Sequence, residues 1–240
     1  MKKQLLSCLT ISMLLLIIGA CSQTKQVSGS SNYITKDIRV GSFSKIKSMS
    51  SSDIVYTQKQ GTPTVQIYGP DNIVQLLETT VEGKTLVVKF KKNSSIRNSG
   101  KLEIRVSSPS LNHLSIYGSG NTTFTNGMES NDDLEICIYG SGNINGTNFS
   151  CTKLSTHIYG SGNINLKKID VPCTEANISG SGDINAIDLK TEDVNAHISG
   201  SGSIKCHATE NLTGGVSGSG SVAYKGNPQI NFSKRGLRKL

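Results

Sequence analysis

The chain has 240 residues, a formal net charge of +8, no tryptophan, 25 glycines and 6 cysteines. A moderate positive charge with scattered basic residues and no tryptophan argues against a nucleic-acid binder, and the length suits one elongated domain or two small ones. Residues 1–20 read as an export signal. Met1-Lys2-Lys3 is a basic start, Leu5 to Ala20 is largely apolar yet short for a membrane span, and Ile18-Gly19-Ala20-Cys21 is a lipobox.

Small residues ahead of Cys21 let a signal peptidase cut there once the thiol carries diacylglycerol. Two or three acyl chains anchor a protein stably, whereas one binds only marginally. Cys21 is therefore the expected lipid-attachment site, and the mature chain is expected in the cell envelope, held at the outer membrane and facing either the periplasm or the outside. Cleavage ahead of Cys21 takes away Lys2 and Lys3, so the formal charge falls to 8 − 2 = +6.

Residues 21–32 are mostly Ser, Gln, Gly and Lys without apolar periodicity and read as a lipidated, flexible tether. From 33 to 110, runs of strand-type residues alternate with turn residues: Asp53–Thr57, Thr64–Tyr68, Thr85–Phe90 and Leu102–Val106, punctuated at Gly61-Thr62-Pro63, Gly69-Pro70 and Glu82-Gly83. Asn72 to Glu78 is the exception, where Ile73, Leu76 and Leu77 fall on one helical face and predict a short helix.

An internal repeat dominates residues 111–228. Gly-Ser-Gly recurs starting at Gly118, Gly140, Gly160, Gly180, Gly200 and Gly218, with spacings of 22, 20, 20, 20 and 18. Two residues before each copy stand Ile116, Ile138, Ile158, Ile178, Ile198 and Val216. Four residues after its first glycine stand Thr122, Ile144, Ile164, Ile184, Ile204 and Val222, and a third column holds Leu134, Leu154, Thr174, Val194 and Leu212. No single repeat is large enough to bury its apolar stripe, but stacked coils bury it together. The predicted fold is all-β, an N-terminal short-strand region continuing into a parallel β-helix, or solenoid, of about six coils. The glycines are expected at sharp turns that need positive φ. Residues 229–240, with Lys234-Arg235 and Arg238-Lys239, read as a basic tail, either solvated or touching anionic lipid or polysaccharide.

Outward positions should form ladders too: Tyr117, Tyr139 and Tyr159, then Ser179, Ser199 and Ser217 before the glycines, and Asn121, Asn143, Asn163, Asp183, Ser203 and Ser221 after them. Identical residues one coil apart lie about 4.8 Å from each other, so amides can hydrogen-bond and rings can stack. That explains the columns structurally. The functional reading is a strip of Tyr117, Tyr139 and Tyr159 with Asn143 and Asn163 that binds sugar rings.

A resemblance is carried by Gly69-Pro70-Asp71-Asn72, by Ser107 to Leu111 leading into Leu114-Ser-Ile-Tyr-Gly-Ser-Gly120, and by the repeated Gly-Ser-Gly-Asn-Ile-Asn. From about Phe43 to Pro228 the chain resembles the head-GIN-domain family of putative autotransporter adhesins, frequent among exported proteins and lipoproteins of Bacteroidetes-type bacteria. The resemblance implies a β-rich or β-helical fold and an adhesin-like role.

No catalytic constellation, metal site or cofactor motif stands out. Asp132, Asp133 and Glu135 read as a solvated loop entering a strand, and Asp183 is a lone carboxylate among Ser and Asn. His157 and His197 share a column but lie two coils, about 9.6 Å, apart with Asn177 between them, too far to share a metal. The expectation is a non-enzymatic surface protein binding glycans or proteins. A structural envelope component or a polysaccharide-active β-helix is the alternative. Four cysteines remain beyond Cys21 and the signal segment, and of their three connectivities the pair Cys151–Cys173, little more than one repeat apart, is favoured over any pairing with Cys206.

Overall fold

The computed structural model describes residues 26–233 and 235–240. The signal segment, the lipobox and Cys21 lie outside them. Each coil consists of a leading strand, a corner and a trailing strand, and successive coils pair in parallel. The leading strands are Lys45–Met49, His113–Ile116, Leu134–Ile138, Lys153–Ile158, Cys173–Gly180, residues 193–200, residues 211–218 and Gln229–Phe232. The trailing strands begin with Asp53–Gln58, Thr122–Phe124, Asn143–Ser150 and Asn163–Asp170, and they end with Ser221–Lys225 and Leu237–Lys239.

This all-β solenoid follows from the apolar columns. Ile116, Ile138, Ile158, Ile178 and Ile198 pair directly from coil to coil and are buried. Thr122, Ile144, Ile164, Ile184, Ile204 and Val222 do the same behind the corner. A further inward column, Ile46, Leu114, Ile136, Thr156, Ala176, Ala196 and Gly214, shrinks steadily toward the C-terminus. The wide N-terminal end is filled instead by Tyr56, Phe124 and Phe149 in edge-to-face contact, with centroids 5.4 and 5.0 Å apart. The taper explains why the spacing of the Gly-Ser-Gly corners contracts along the chain: smaller inward side chains need a shorter circuit.

The glycines owe their place mainly to close approach, a correction to the turn-conformation expectation. Only Gly180, Gly200 and Gly218 among the corner glycines have φ in the left-handed region. A Cβ on Gly142, Gly162, Gly182 or Gly202 would overlap the carbonyl oxygen of the corresponding glycine one coil below. The coil of residues 45–58 has Ser50 and Ser52 at those positions, because the layer beneath it joins residues 85–90 to 103–108 through the longer segment 91–102 and presents no tight corner.

The solenoid therefore starts inside the region 33–110, at Lys45. That coil is sandwiched between His113–Phe124 on one side and residues 85–108 on the other. The rest of the N-terminal region caps this end with antiparallel pairs: Tyr33–Ile38 with Thr64–Pro70, Thr64–Pro70 with Glu103–Ser108, and Leu77–Glu82 with Thr85–Phe90. The short helix is confined to Asp71–Val74, because Leu77 and Glu78 are taken into the strand that pairs with 85–90.

Two segments expected to lie outside the fold are built into it. Gln26–Ser28, in the expected tether, pairs in parallel with Ser95–Asn98. The N–H of Ser30 donates to Asn72 Oδ1 at 2.9 Å, Asn72 Nδ2 donates to the Ser28 carbonyl, and Ser30 Oγ and Asn32 Nδ2 donate to Asp71 at 2.6 and 2.8 Å. The expected tail supplies a last partial coil, with Gln229–Phe232 and Leu237–Lys239 stacked on 211–214 and 222–224 and with Phe232 and Leu237 packed on the core. The apolar residues Phe232 and Leu237, not the basic ones, decide its fate.

Candidate functional site

The outward face just before the corners carries the tyrosines. Their α-carbons are held one coil apart by paired strands, so their rings fall into register. Tyr117 and Tyr139 stack with centroids 4.4 Å apart and planes 10° from parallel, and Tyr139 and Tyr159 follow at 4.9 Å and 8°. All three remain exposed, at 42, 40 and 49%. Burial of the middle ring between its neighbours, with Cys137 beside it, pushes the Tyr139 hydroxyl up to about 12. The stack has unlike ends. Lys47 Nζ lies 4.9 Å from the Tyr117 ring centroid. Beyond Tyr159 the column continues with Ser179, Ser199 and Ser217, and a shallow depression of about 580 Å³ opens there.

On the other side of the corners the amides form an uninterrupted ladder. Asn121 donates its backbone N–H and its Nδ2 to Asp53 Oδ1 at 2.8 and 3.2 Å. Asn143 donates the same two groups to Asn121 Oδ1, and Asn163 to Asn143 Oδ1. The N–H of Asp183 then donates to Asn163 Oδ1 at 3.1 Å, and Ser203 donates its N–H and hydroxyl to Asp183 Oδ1 at 2.8 and 2.6 Å. Every donor points down the stack. The ladder can begin on Asp53 because its first member only accepts. Asn143 and Asn163 are thus engaged with each other, and the tyrosine stack is the part of the strip with a face to offer.

The remaining ionisable groups are dispersed. His157, Asn177 and His197 occupy successive coils in one column, and Asn177 Nδ2 lies 3.3 Å from His157 Nδ1 and donates to Glu175 Oε1 at 2.8 Å. Asp132, Asp133, His113 and Glu135 line one open depression, and Asp183 lines another. His113 Nδ1 sits 2.9 Å from Glu135 Oε2; burial raises the Glu135 pKa, but the hydrogen bond and charge of His113 outweigh it and hold the carboxyl below its ordinary range. Glu175 is held low and Lys153 high by their mutual contact at 2.7 Å.

The Cys151–Cys173 bridge is not formed; Cys137, Cys151, Cys173 and Cys206 are free thiols. Register is the reason. Lys153, not Cys151, lies beside Cys173 on the adjacent coil, while Cys151 is turned into the core. Burial pushes the thiols of Cys137 and Cys206 up to about 12 and that of Cys151 to about 11.

Two contributors to this surface escaped the sequence. Lys47 caps the tyrosine stack from a coil whose corner is Ser50-Ser51-Ser52, which hid the strand from a search for Gly-Ser-Gly. Asp53 starts the amide ladder from the same coil.

Residues 42–228 match the protein family described as putative auto-transporter adhesin, head GIN domain. Among solved structures, a putative adhesin from Bacteroides fragilis is similar over 89% of this chain and 100% of its own, with 35% identity and a TM-score of 0.83. A putative lipid binding protein from Parabacteroides distasonis matches at 26% identity and a TM-score of 0.73, covering 90% of this chain and 100% of its own. A putative adhesin from Parabacteroides merdae shares the fold at 23% identity and a TM-score of 0.76, over 90% of this chain and 99% of its own. No curated protein matches this chain. The family match spans the solenoid up to its last partial coil and most of its cap, and the similarity to the Bacteroides fragilis structure covers almost all of the described chain; the protein belongs to the head GIN domain family.

Proposed function

We propose that this protein is a non-catalytic, adhesin-like lipoprotein of the cell envelope, anchored through Cys21, that binds glycans through the tyrosine stack. The observation that carries the reading is the stack itself: three parallel, exposed rings held at 4.4 and 4.9 Å spacing on a rigid scaffold. Away from Lys47 at its Tyr117 end, such a surface offers an apolar face and ring edges without charge, which suits the faces of sugar rings better than nucleic acid or an ionic partner. The family description and the Bacteroides fragilis relative described as a putative adhesin support the adhesin-like part of this reading. Binding is weak per site and insensitive to salt, since stacking and neutral hydrogen bonds carry it.

A glycan array and a whole-cell adhesion assay on the same purified protein test the proposal. Tyr139→Ala with Tyr159→Ala is expected to abolish binding while the fold survives. Silence of the parent protein on both assays would leave the ladders a purely structural role in the envelope, and turnover of a polysaccharide would make the protein an enzyme. Anchoring is tested separately: Cys21→Ser is expected to leave an unprocessed or soluble product, and unchanged partitioning into the detergent phase would reject lipidation.

A further inference from the structure

We infer that the open face of Tyr159 is the seat of a single neutral pyranose residue, bound as the next member of the tyrosine stack. The inference rests on the glycan-binding reading and narrows it to one place and one class of sugar.

Along the coils the stack ends at Tyr159. The His157 ring, two residues earlier in the same strand, runs parallel to Tyr159 with centroids 6.3 Å apart, and after two ring-to-ring steps of 4.4 and 4.9 Å the next position one coil on is Ser179, which carries no ring. Serine persists at 199 and 217, so the gap continues along the column and forms the depression described above. The opposite end carries the Lys47 ammonium against Tyr117, so the two ends are not equivalent.

The walls suit a pyranose. Around the seat stand His157, Asn177, Ser179, His197 and Ser199, and among the described residues no Asp, Glu, Lys or Arg lines it. An anionic or cationic sugar would find no counter-charge among them. Among the described residues the side chains of Ser179, Ser199 and His197 make no hydrogen bond, and Asn177 uses only its amide donor. This contrasts with the asparagine ladder, where Asn143 Oδ1 already accepts twice. A pyranose presents C–H groups on its face and hydroxyls at its rim, matching a ring face below and unspent hydroxyl, amide and imidazole groups around it. An aromatic side chain would match the face but leave the polar rim unpaired.

The test uses the full chain in detergent on an array of neutral and acidic oligosaccharides, with Tyr159→Ala, Ser179→Tyr and, on an exposed position of a trailing strand, Thr123→Ala compared by melting temperature and by binding. Ser179→Tyr is expected to continue the stack, fill the seat and weaken binding about tenfold or more, as Tyr159→Ala does, while Thr123→Ala stays within about twofold of the parent. If Ser179→Tyr binds as well as the parent or better, the ligand lies along the whole strip: the seat is rejected and the glycan reading stands. Binding confined to acidic glycans overturns the neutral seat. Absence of any binding by the parent overturns both. Because Ser179 is exposed, its variant keeps the test valid even if Tyr159→Ala loses its fold.

Discussion

Asn163 is tied to Asn143 through one shared acceptor: Nδ2 and the backbone N–H of Asn163 both donate to Asn143 Oδ1, at 2.8 and 3.2 Å. Asn143→Ala removes that acceptor from two donors at once and is expected to cost about 1–3 kcal/mol in urea denaturation, toward the lower end because the ladder is only half-buried. Asn143→Asp keeps the acceptor, as Asp183 does for Ser203, and is expected to cost less. Equal losses for the two variants would mean that the shared acceptor contributes nothing to stability, since both variants also lose the Asn143 Nδ2 donor to Asn121.

Stacked corners make a sharper prediction. A methyl group on Gly182 would fall on the Gly162 carbonyl, with the buried Ile158 Cγ2 only 3.0 Å away beside it. Gly182→Ala is expected to destabilise by about 3 kcal/mol or more, whereas Ser181→Ala in the exposed middle of the same corner stays within about 0.5 kcal/mol. Thermal melts of the two variants side by side decide the matter.

The inward columns can be tested in both directions. Ile164→Asp sets a carboxylate between Ile144 and Ile184 and is expected to cost several kcal/mol or prevent folding. Thr122 sits in the same column, fully buried, with a hydroxyl that has no partner among the described residues. Thr122→Val replaces that hydroxyl with a methyl of similar size and is expected to raise stability by about 1 kcal/mol.

The thiols should separate by burial. Cys137, Cys151 and Cys206 are buried and their thiolates strongly disfavoured, while Cys173 is only half-buried. Under native conditions a small alkylating reagent is expected to label Cys173 first and the other three only after denaturation. Peptide mapping that recovers Cys151 linked to Cys173 would overturn the pairing of Lys153 with Cys173.

Glu175 and Lys153 give a pH signature. The Glu175 pKa is lowered chiefly by its hydrogen bond from Lys153, so the stabilisation is complete above the ordinary glutamate range and is lost as pH falls through the lowered value. The Lys153 pKa is raised, chiefly by the same hydrogen bond, so on the alkaline side the contact is complete below the ordinary lysine range and lost as pH rises through the raised value. Both side chains are about a third exposed, and Glu175→Gln is expected to cost no more than about 1 kcal/mol near neutrality while flattening the fall in melting temperature on acidification.

Much of this was legible in the residues because a solenoid writes its contacts at a fixed interval. Ile144, Ile164 and Ile184 announce their pairing by recurring once per repeat, and Tyr139 and Tyr159 announce their stacking in the same way. What could not be read depended on contacts between segments far apart in sequence. Ser50 and Ser52 break the glycine pattern because of what lies beneath their coil, and the clamp from Asp71 and Asn72 onto Ser28, Ser30 and Asn32 joins segments separated by two capping strands and more. Pairing of Cys151 with Cys173 failed for a subtler reason: repeat length fixes which coils touch, but only the register, Lys153 beside Cys173, fixes which side chains do.

The clamp on Ser28, Ser30 and Asn32 also sets a reach. Under the proposed anchoring at Cys21, only the segment 21–25 would precede the first paired residue, Gln26, and even fully extended it spans no more than about 18 Å. The leading strands together with the layer at Thr85–Phe90 beneath them, through to Gln229–Phe232, measure roughly 38 Å at about 4.8 Å per step. The capped end is then moored near the bilayer, and the height at which Tyr159 is displayed is governed by how many coils lie between it and the cap, so that inserting or deleting one whole repeat would raise or lower the seat like a rung.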